Sequence, residues 1–266
     1  MLPYADENPA DGPPVITIGL ILLNLFIFLL GLRLDERQRF ELHVNNGFIP
    51  ARIEQLFDPT VAVHVPAKAM VRLGPDIRQL PIMLPLPPNR GQILMSLVTC
   101  QFLHGGWMHL LGNMLFLYIF GNNVEDRLGH LAYLFFYILG GIFSMLAHYL
   151  VNPASVVPTI GASGAVATIL GAYAVSWPHA RIHALLPLGI IFIPLELPAY
   201  LVLGFWFGSQ LLDGWLQWGV ELGGGVAFFA HIGGFVFGAA VMLVVNKLRE
   251  VQPLSETLHG NNGEND

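Results

Sequence analysis

A serine, two histidines and an asparagine stand out because each lies near the start of a long apolar stretch. Ser163 sits in Gly161-Ala162-Ser163-Gly164 and His231 in Ala230-His231-Ile232-Gly233-Gly234. His109 and Asn113 belong to a stretch that opens His104-Gly105-Gly106-Trp107-Met108-His109. Polar and ionisable groups are costly inside a bilayer, so each is a candidate for function. A serine hydroxyl becomes nucleophilic at neutral pH only beside a base, and imidazole is a suitable one. His109 and Asn113 are four residues apart, so on a helix they share one face, about 6 Å apart along the axis. Both donate hydrogen bonds, as a site for a developing oxyanion requires. A nucleophile, a base and a donor pair at matching depths point to proteolysis inside a membrane.

Each residue also has a plainer reading. Ser163 could serve as a helix N-cap or a small packing residue, His231 as a satisfied core histidine, and His109 with Asn113 as polar glue between helices. What favours chemistry is the repetition of small residues around them. Ser163, Ala167 and Gly171 recur every four residues, as do Ala230, Gly234 and Gly238 beside His231. Two such stripes let helix backbones approach closely and would bring imidazole and hydroxyl within hydrogen-bond reach. His104 is expected to brace the Gly105-Gly106 turn, Glu125 and Arg127 to pair or cap at the membrane surface, and His148 to pack.

The elements that must position these groups follow from the apolar runs and their punctuation. Spans are expected at about 15–32, 107–122, 130–151, 162–177, from near Leu195 to 218, and 226–245. Pro187, Pro194 and Pro198 make the segment before the fifth helix irregular. The domain plan is an N-terminal tail (1–14), a membrane domain (15–247) with a long extramembrane first loop (33–92), and a polar C-terminal tail (248–266). With six spans, the second, fourth and sixth run in the same direction. Their N-terminal ends share one face, and that face collects His109, Asn113, Ser163 and His231.

Composition agrees with a multi-pass membrane protein. Of the 266 residues only 11% are charged, against roughly 25% in an ordinary soluble domain, and the mean hydropathy is +0.60. A net charge of −6 offers no basic footprint for nucleic acid. One cysteine, Cys100, excludes an internal disulfide and a cysteine-rich metal site, and its apolar surroundings predict burial. No His-Glu-x-x-His and no paired intramembrane aspartates occur, since Asp213 stands alone on the fifth span. Zinc and aspartyl protease chemistry are thereby disfavoured. The acidic N-terminus lacks the basic region of a signal peptide, so the first span is read as retained. Arg127, Arg181, Lys247 and Arg249 all fall on the side of the termini, which makes that side cytoplasmic and the reactive face outer. The first loop pulls the other way, with Arg33, Arg37 and Arg39 at the membrane, but its length is near the limit of about 60 residues at which the rule loses force.

The ordered motifs resemble the rhomboid family of intramembrane serine proteases. The likeness runs through 102–113, Gly121-Asn122-Asn123-Val124-Glu125-Asp126-Arg127-Leu128-Gly129, Gly161-Ala162-Ser163-Gly164-Ala165 and 230–238. The resemblance implies an all-α membrane protein, a six-transmembrane-helix bundle in which Ser163 is the nucleophile and His231 the base, a dyad with no third acidic member. It implies an oxyanion site from His109, Asn113 and the Ser163 backbone N–H, and a fifth span and cap loop that gate substrate entry. No cofactor or metal is implied. Expected partners are single-pass transmembrane substrates and membrane lipid, in a bacterial-type inner membrane. Some family members carry an aromatic residue four positions after the serine, where Ala167 stands here. The rival readings are a non-proteolytic relative that binds membrane clients, and a transporter, which would place its polar residues near the midplane and not at one end.

Overall fold

The computed structural model describes residues 2–8, 10, 12–73, 76–188, 191–216 and 226–251. The C-terminal tail expected from 248 onward lies outside the described residues beyond Val251. Eight α-helices are seen among the described residues: α1 (Val15–Gly31), α2 (Glu36–Asn46), α3 (Arg90–Thr99), α4 (Trp107–Leu128), α5 (His130–Val151), α6 (Ser163–Ser176), α7 (Ala199–Leu216) and α8 (Phe228–Val251). Of these, α5 and residues 228–249 of α8 are long and apolar enough to cross a membrane, while α1 and α6 are apolar but shorter.

Burial explains how the helices are arranged. On α1 the buried residues Thr17, Leu20, Asn24 and Phe28 recur every three or four positions, so a single stripe packs inward. On α6 every residue from Gly164 to Tyr173 is buried, which makes it the central helix, surrounded by α4, α5, α7 and α8. The close approach is as expected, but α6 presents Gly164, Thr168 and Gly171 at the contact, so of the expected α6 stripe it is Gly171 that meets α8. A Cβ on Gly234 would overlap the Gly164 carbonyl oxygen, and one on Gly238 would overlap that of Thr168. The α6–α8 crossing is therefore set by backbone against backbone. Outward-facing side chains such as Leu22, Phe26, Phe135, Leu150, Leu243 and Val244 are exposed and apolar, a surface suited to lipid.

The expectation of an all-α chain needs correction. Among the described residues, five strands form two antiparallel sheets. The expected tail contains β1 (Leu2–Asp6), which pairs with β4 (Arg181–Leu188), and β4 pairs in turn with β5 (Ile191–Pro198). The segment expected to be irregular is thus this hairpin, and the fifth helix starts at Ala199, four residues later than predicted. The first loop is also structured. It holds α2, a short 3-10 helix at Pro50–Leu56, the hairpin of β2 (Val63–Leu73) and β3 (Asp76–Leu86), and the start of α3, which runs on past the expected end of the loop. Asp35 and Gln38 form a reciprocal capping box that starts α2. Val44, Ile49, Val63, Val65 and Leu86 give the loop a small core of its own.

Two contacts tie this framework to the segment before Ser163. Phe48 and Thr159 exchange backbone hydrogen bonds of 2.9 and 2.7 Å, and Gly161 N–H donates to the Cys100 carbonyl at 2.9 Å. Cys100 is fully buried, in keeping with its apolar run.

Candidate active site

Ser163 is the first residue of α6, and the turn that delivers it depends on Gly161. That glycine has φ +124°, a conformation L side chains rarely adopt, and a Cβ there would overlap Nε2 of His109. No side chain caps the N-terminus of α6, so the first-turn N–H groups, which have no intrahelical carbonyl to bind, stay available at the site. With 14 residues, α6 is about 21 Å long. This is shorter than a hydrocarbon core of about 30 Å, so its N-terminus can lie below the membrane surface.

Ser163 Oγ lies 2.7 Å from Nε2 of His231, which sits on the first turn of α8. The expected pair is thus brought together across the close α6–α8 crossing. On the other side of the ring, His231 Nδ1 lies 2.7 Å from Oε1 of Gln210 on α7. Gln210 Nε2 donates to Ser209 Oγ at 3.1 Å, and the Ser209 hydroxyl donates to the Trp206 carbonyl at 2.7 Å. The Trp206 ring lies over the imidazole at a centroid distance of 6.0 Å, and Phe228 meets it edge-on at 6.3 Å. Ala167 contributes no ring beneath His231, and the aromatic neighbours come from α7 and α8 instead.

His109 and Asn113 lie on the first two turns of α4. His109 Nδ1 accepts from the Gly105 N–H at 3.4 Å, which leaves the proton of a neutral ring on Nε2, the nitrogen beside Gly161. Asn113 is buried, and its Nδ2 has no partner among the described residues. A buried donor without an acceptor is costly, and a developing oxyanion would supply that acceptor.

Several accessory expectations change. His104 braces the nucleophile's approach and not the Gly105-Gly106 turn: its Nε2 accepts from the Ala162 N–H at 3.5 Å, and its ring meets His109 edge-on at 5.0 Å. Of the two roles expected for Glu125, the cap is the one seen and the pairing with Arg127 is not. Its two oxygens accept from the Ile16 and Thr17 N–H groups at 2.8 and 2.7 Å, capping α1, and one also meets His130 at 2.6 Å. Arg127 instead donates to Asn246 at 3.0 Å. His148 is buried on α5, as packing predicts. Glu7, His183 and Glu196 gather on the three-stranded sheet. There His183 meets Glu7 at 3.1 Å and Arg181 meets Glu196 at 3.4 Å, so both carboxylates already have partners.

Sequence reasoning missed Gln210. A signal was present, because Ser209-Gln210 is a polar pair within a helix whose one other charged or amide residue is Asp213.

Residues 91–248 match the family model described as the Rhomboid domain. The chain belongs to the rhomboid family. All four motif segments quoted above fall inside the match. Among curated relatives, Rhomboid-like protein 11, chloroplastic, of Arabidopsis thaliana is 33% identical over 156 residues, 56% of this chain and 52% of the relative. Rhomboid protein 1, mitochondrial, of Saccharomyces cerevisiae is 30% identical over 162 residues, 59% of this chain and 43% of the relative. Rhomboid-like protease 5 of Toxoplasma gondii is 33% identical over 165 residues, 60% of this chain but 18% of the relative. The similarity thus spans about half or less of the length of these relatives. Rhomboid membership makes this chain a membrane protein.

Proposed function

We propose that this rhomboid is a serine endopeptidase that cleaves transmembrane segments of single-pass proteins within a six-span bundle. The observation that carries the reading is the 2.7 Å approach of Ser163 Oγ to His231 Nε2, which joins a nucleophile to a base. Ser163 Oγ attacks the scissile carbonyl carbon while His231 Nε2 takes the hydroxyl proton. Negative charge then collects on the former carbonyl oxygen, where His109 Nε2–H, Asn113 Nδ2–H and the Ser163 N–H are the proposed donors. Collapse breaks the C–N bond, and His231 returns the proton to the leaving amine. Water, deprotonated by the same nitrogen, then releases the acyl group. A peptide bond inside a substrate helix is reached only after local unwinding, so helix-weakening residues in the substrate should speed cleavage.

The reactive end of the bundle is proposed to face the outer side, opposite the termini. Two of the relatives named above are chloroplastic or mitochondrial, so a bacterial-type membrane rests on this chain's own reading alone. The decisive test is cleavage of a model single-pass substrate in liposomes by the wild type and by Ser163→Ala, together with labelling by a fluorophosphonate. Cleavage and labelling that both vanish with Ser163 are the expected result. Cleavage that survives Ser163→Ala would overturn the nucleophile. A folded wild type that neither cleaves nor labels would favour the client-binding alternative.

A further inference from the structure

The hydrogen-bond chain behind His231 has a direction, and one end of it cannot change sign. The Trp206 carbonyl can only accept, so the Ser209 hydroxyl spends its single proton there, at 2.7 Å. Ser209 Oγ therefore has only lone pairs to offer Gln210. The amide must turn its NH2 toward Ser209, at 3.1 Å, because the reverse orientation would set two acceptors face to face. That leaves Gln210 Oε1 pointing at His231 Nδ1, 2.7 Å away, and this nitrogen must carry the ring proton. Nε2 then presents its lone pair to the Ser163 hydroxyl at 2.7 Å. From a backbone carbonyl on α7, four bonds in series fix the tautomer that a general base needs.

From this geometry we infer that Gln210 is a positioning residue: with Ser209 it holds His231 in the Nδ1–H tautomer and so makes the competence of the Ser163–His231 pair depend on the seating of α7. The inference rests on the proteolytic reading above. Gln210 takes the place a carboxylate holds in a Ser-His-Asp triad, but as a neutral acceptor. Burial makes neutrality the cheaper choice, since both Gln210 and His231 are more than nine-tenths buried and an unpaired charge there would be heavily penalised. The bond also crosses between helices. His231 rides on α8 and Gln210 on α7, so tilting α7 away removes the acceptor while leaving Ser163 and His231 in place.

The test uses the full-length protein in liposomes with a model transmembrane substrate. Gln210→Met keeps side-chain length without an acceptor, and Gln210→Glu keeps an acceptor and adds charge. Gln210→Met should lower kcat by about 10²-fold with KM little changed, short of the roughly 10⁴-fold that a wrong-tautomer partner costs a Ser-His-Asp triad. Gln210→Glu should restore most of kcat at high pH and move the acidic limb of the pH–rate profile upward, because an anionic neighbour favours the imidazolium. Independently of activity, 15N resonances of His231 should report the Nδ1–H tautomer in the wild type and a mixture in Gln210→Met. If Gln210→Met fails to fold, Ser209→Ala takes its place, since it loses only the hydroxyl that orients the amide, and it too should mix the tautomers. An unchanged tautomer in the folded variant, or an equal loss of kcat in the Met and Glu variants with no shift of the limb, would overturn the positioning role. A mixed tautomer in the variant together with a folded wild type that neither cleaves nor labels would instead sink the proteolytic reading and leave the tautomer lock standing.

Discussion

Helices α6 and α7 both place a side chain on His231, yet the bundle holds them in opposite ways. From Gly164 to Tyr173, α6 is buried on every side. By contrast, α7 buries Ala199, Val202, Leu203, Gln210 and Gly214, while Leu201, Phe205, Leu211, Leu212, Trp215 and Leu216 face outward. Its inner face leans on α8 through the stacked pair Phe207–Phe235, 4.4 Å between centroids. The lesson concerns which parts of a site need which kind of support. The proposed nucleophile stands on the helix with least freedom to move. The group that orients the base comes from a helix gripped on one face.

Substitutions can break or sharpen this contrast. The largest effect is expected at the pair itself: Ser163→Ala or His231→Ala should lower kcat by about 10⁶-fold, and the double variant should be no worse, because the two act as a unit. Single-turnover cleavage by all three purified variants checks both statements. Next comes Asn113→Ala, expected to cost about 10²–10³-fold in kcat, or roughly 2.7–4 kcal/mol. Were Asn113 only interhelical glue, the melting temperature would fall and activity per folded molecule would hold, so both are measured on the same sample. A matched pair then probes the two helices directly. Ile169→Ala, fully buried on α6, should destabilise the protein by about 2–5 kcal/mol. Leu212→Ala, on the outward face of α7, should cost less than about 0.5 kcal/mol. Equal losses in denaturation experiments would erase the distinction between the helices.

Much of the site could be read from residue types and spacing. The stripes Ser163-Ala167-Gly171 and Ala230-Gly234-Gly238 announced a close helix crossing, and the hydroxyl and imidazole meet there because backbones touch. The missing parts share a cause, which is that their partners are distant or their local signal is ambiguous. β1 pairs with β4, about two thirds of the chain away, and nothing in Leu2–Asp6 announces that partner. β4 and β5 contain prolines, which argue against a strand in a sheet interior. A hairpin with one added strand has few interior positions, and Pro187 and Pro194 find room in it. In the first loop the alternation Val63-His64-Val65 and the capping pair Asp35 and Gln38 were legible signals for a strand and a helix. The net polarity of the segment masked them. Gln210 was hidden differently, since a lone amide on an apolar helix tells nothing of which histidine it will meet.

At the opposite end of α4 from His109, the buried carboxylate of Glu125 has a consequence for how the molecule is put together. Its oxygens accept from backbone groups 109 and 108 residues earlier in the chain. A ribosome delivers α1 long before it delivers residue 125, so the first helix must wait with its leading amides unsatisfied until the end of α4 arrives. Neither partner is comfortable alone, because an unpaired buried carboxylate is strongly destabilising. Docking of α4 onto α1 would satisfy both partners at once, and the residues it needs are all synthesised before Ser163 and His231. Damage at this contact would show itself as a shortage of inserted protein, while each molecule that did mature would turn over at the normal rate.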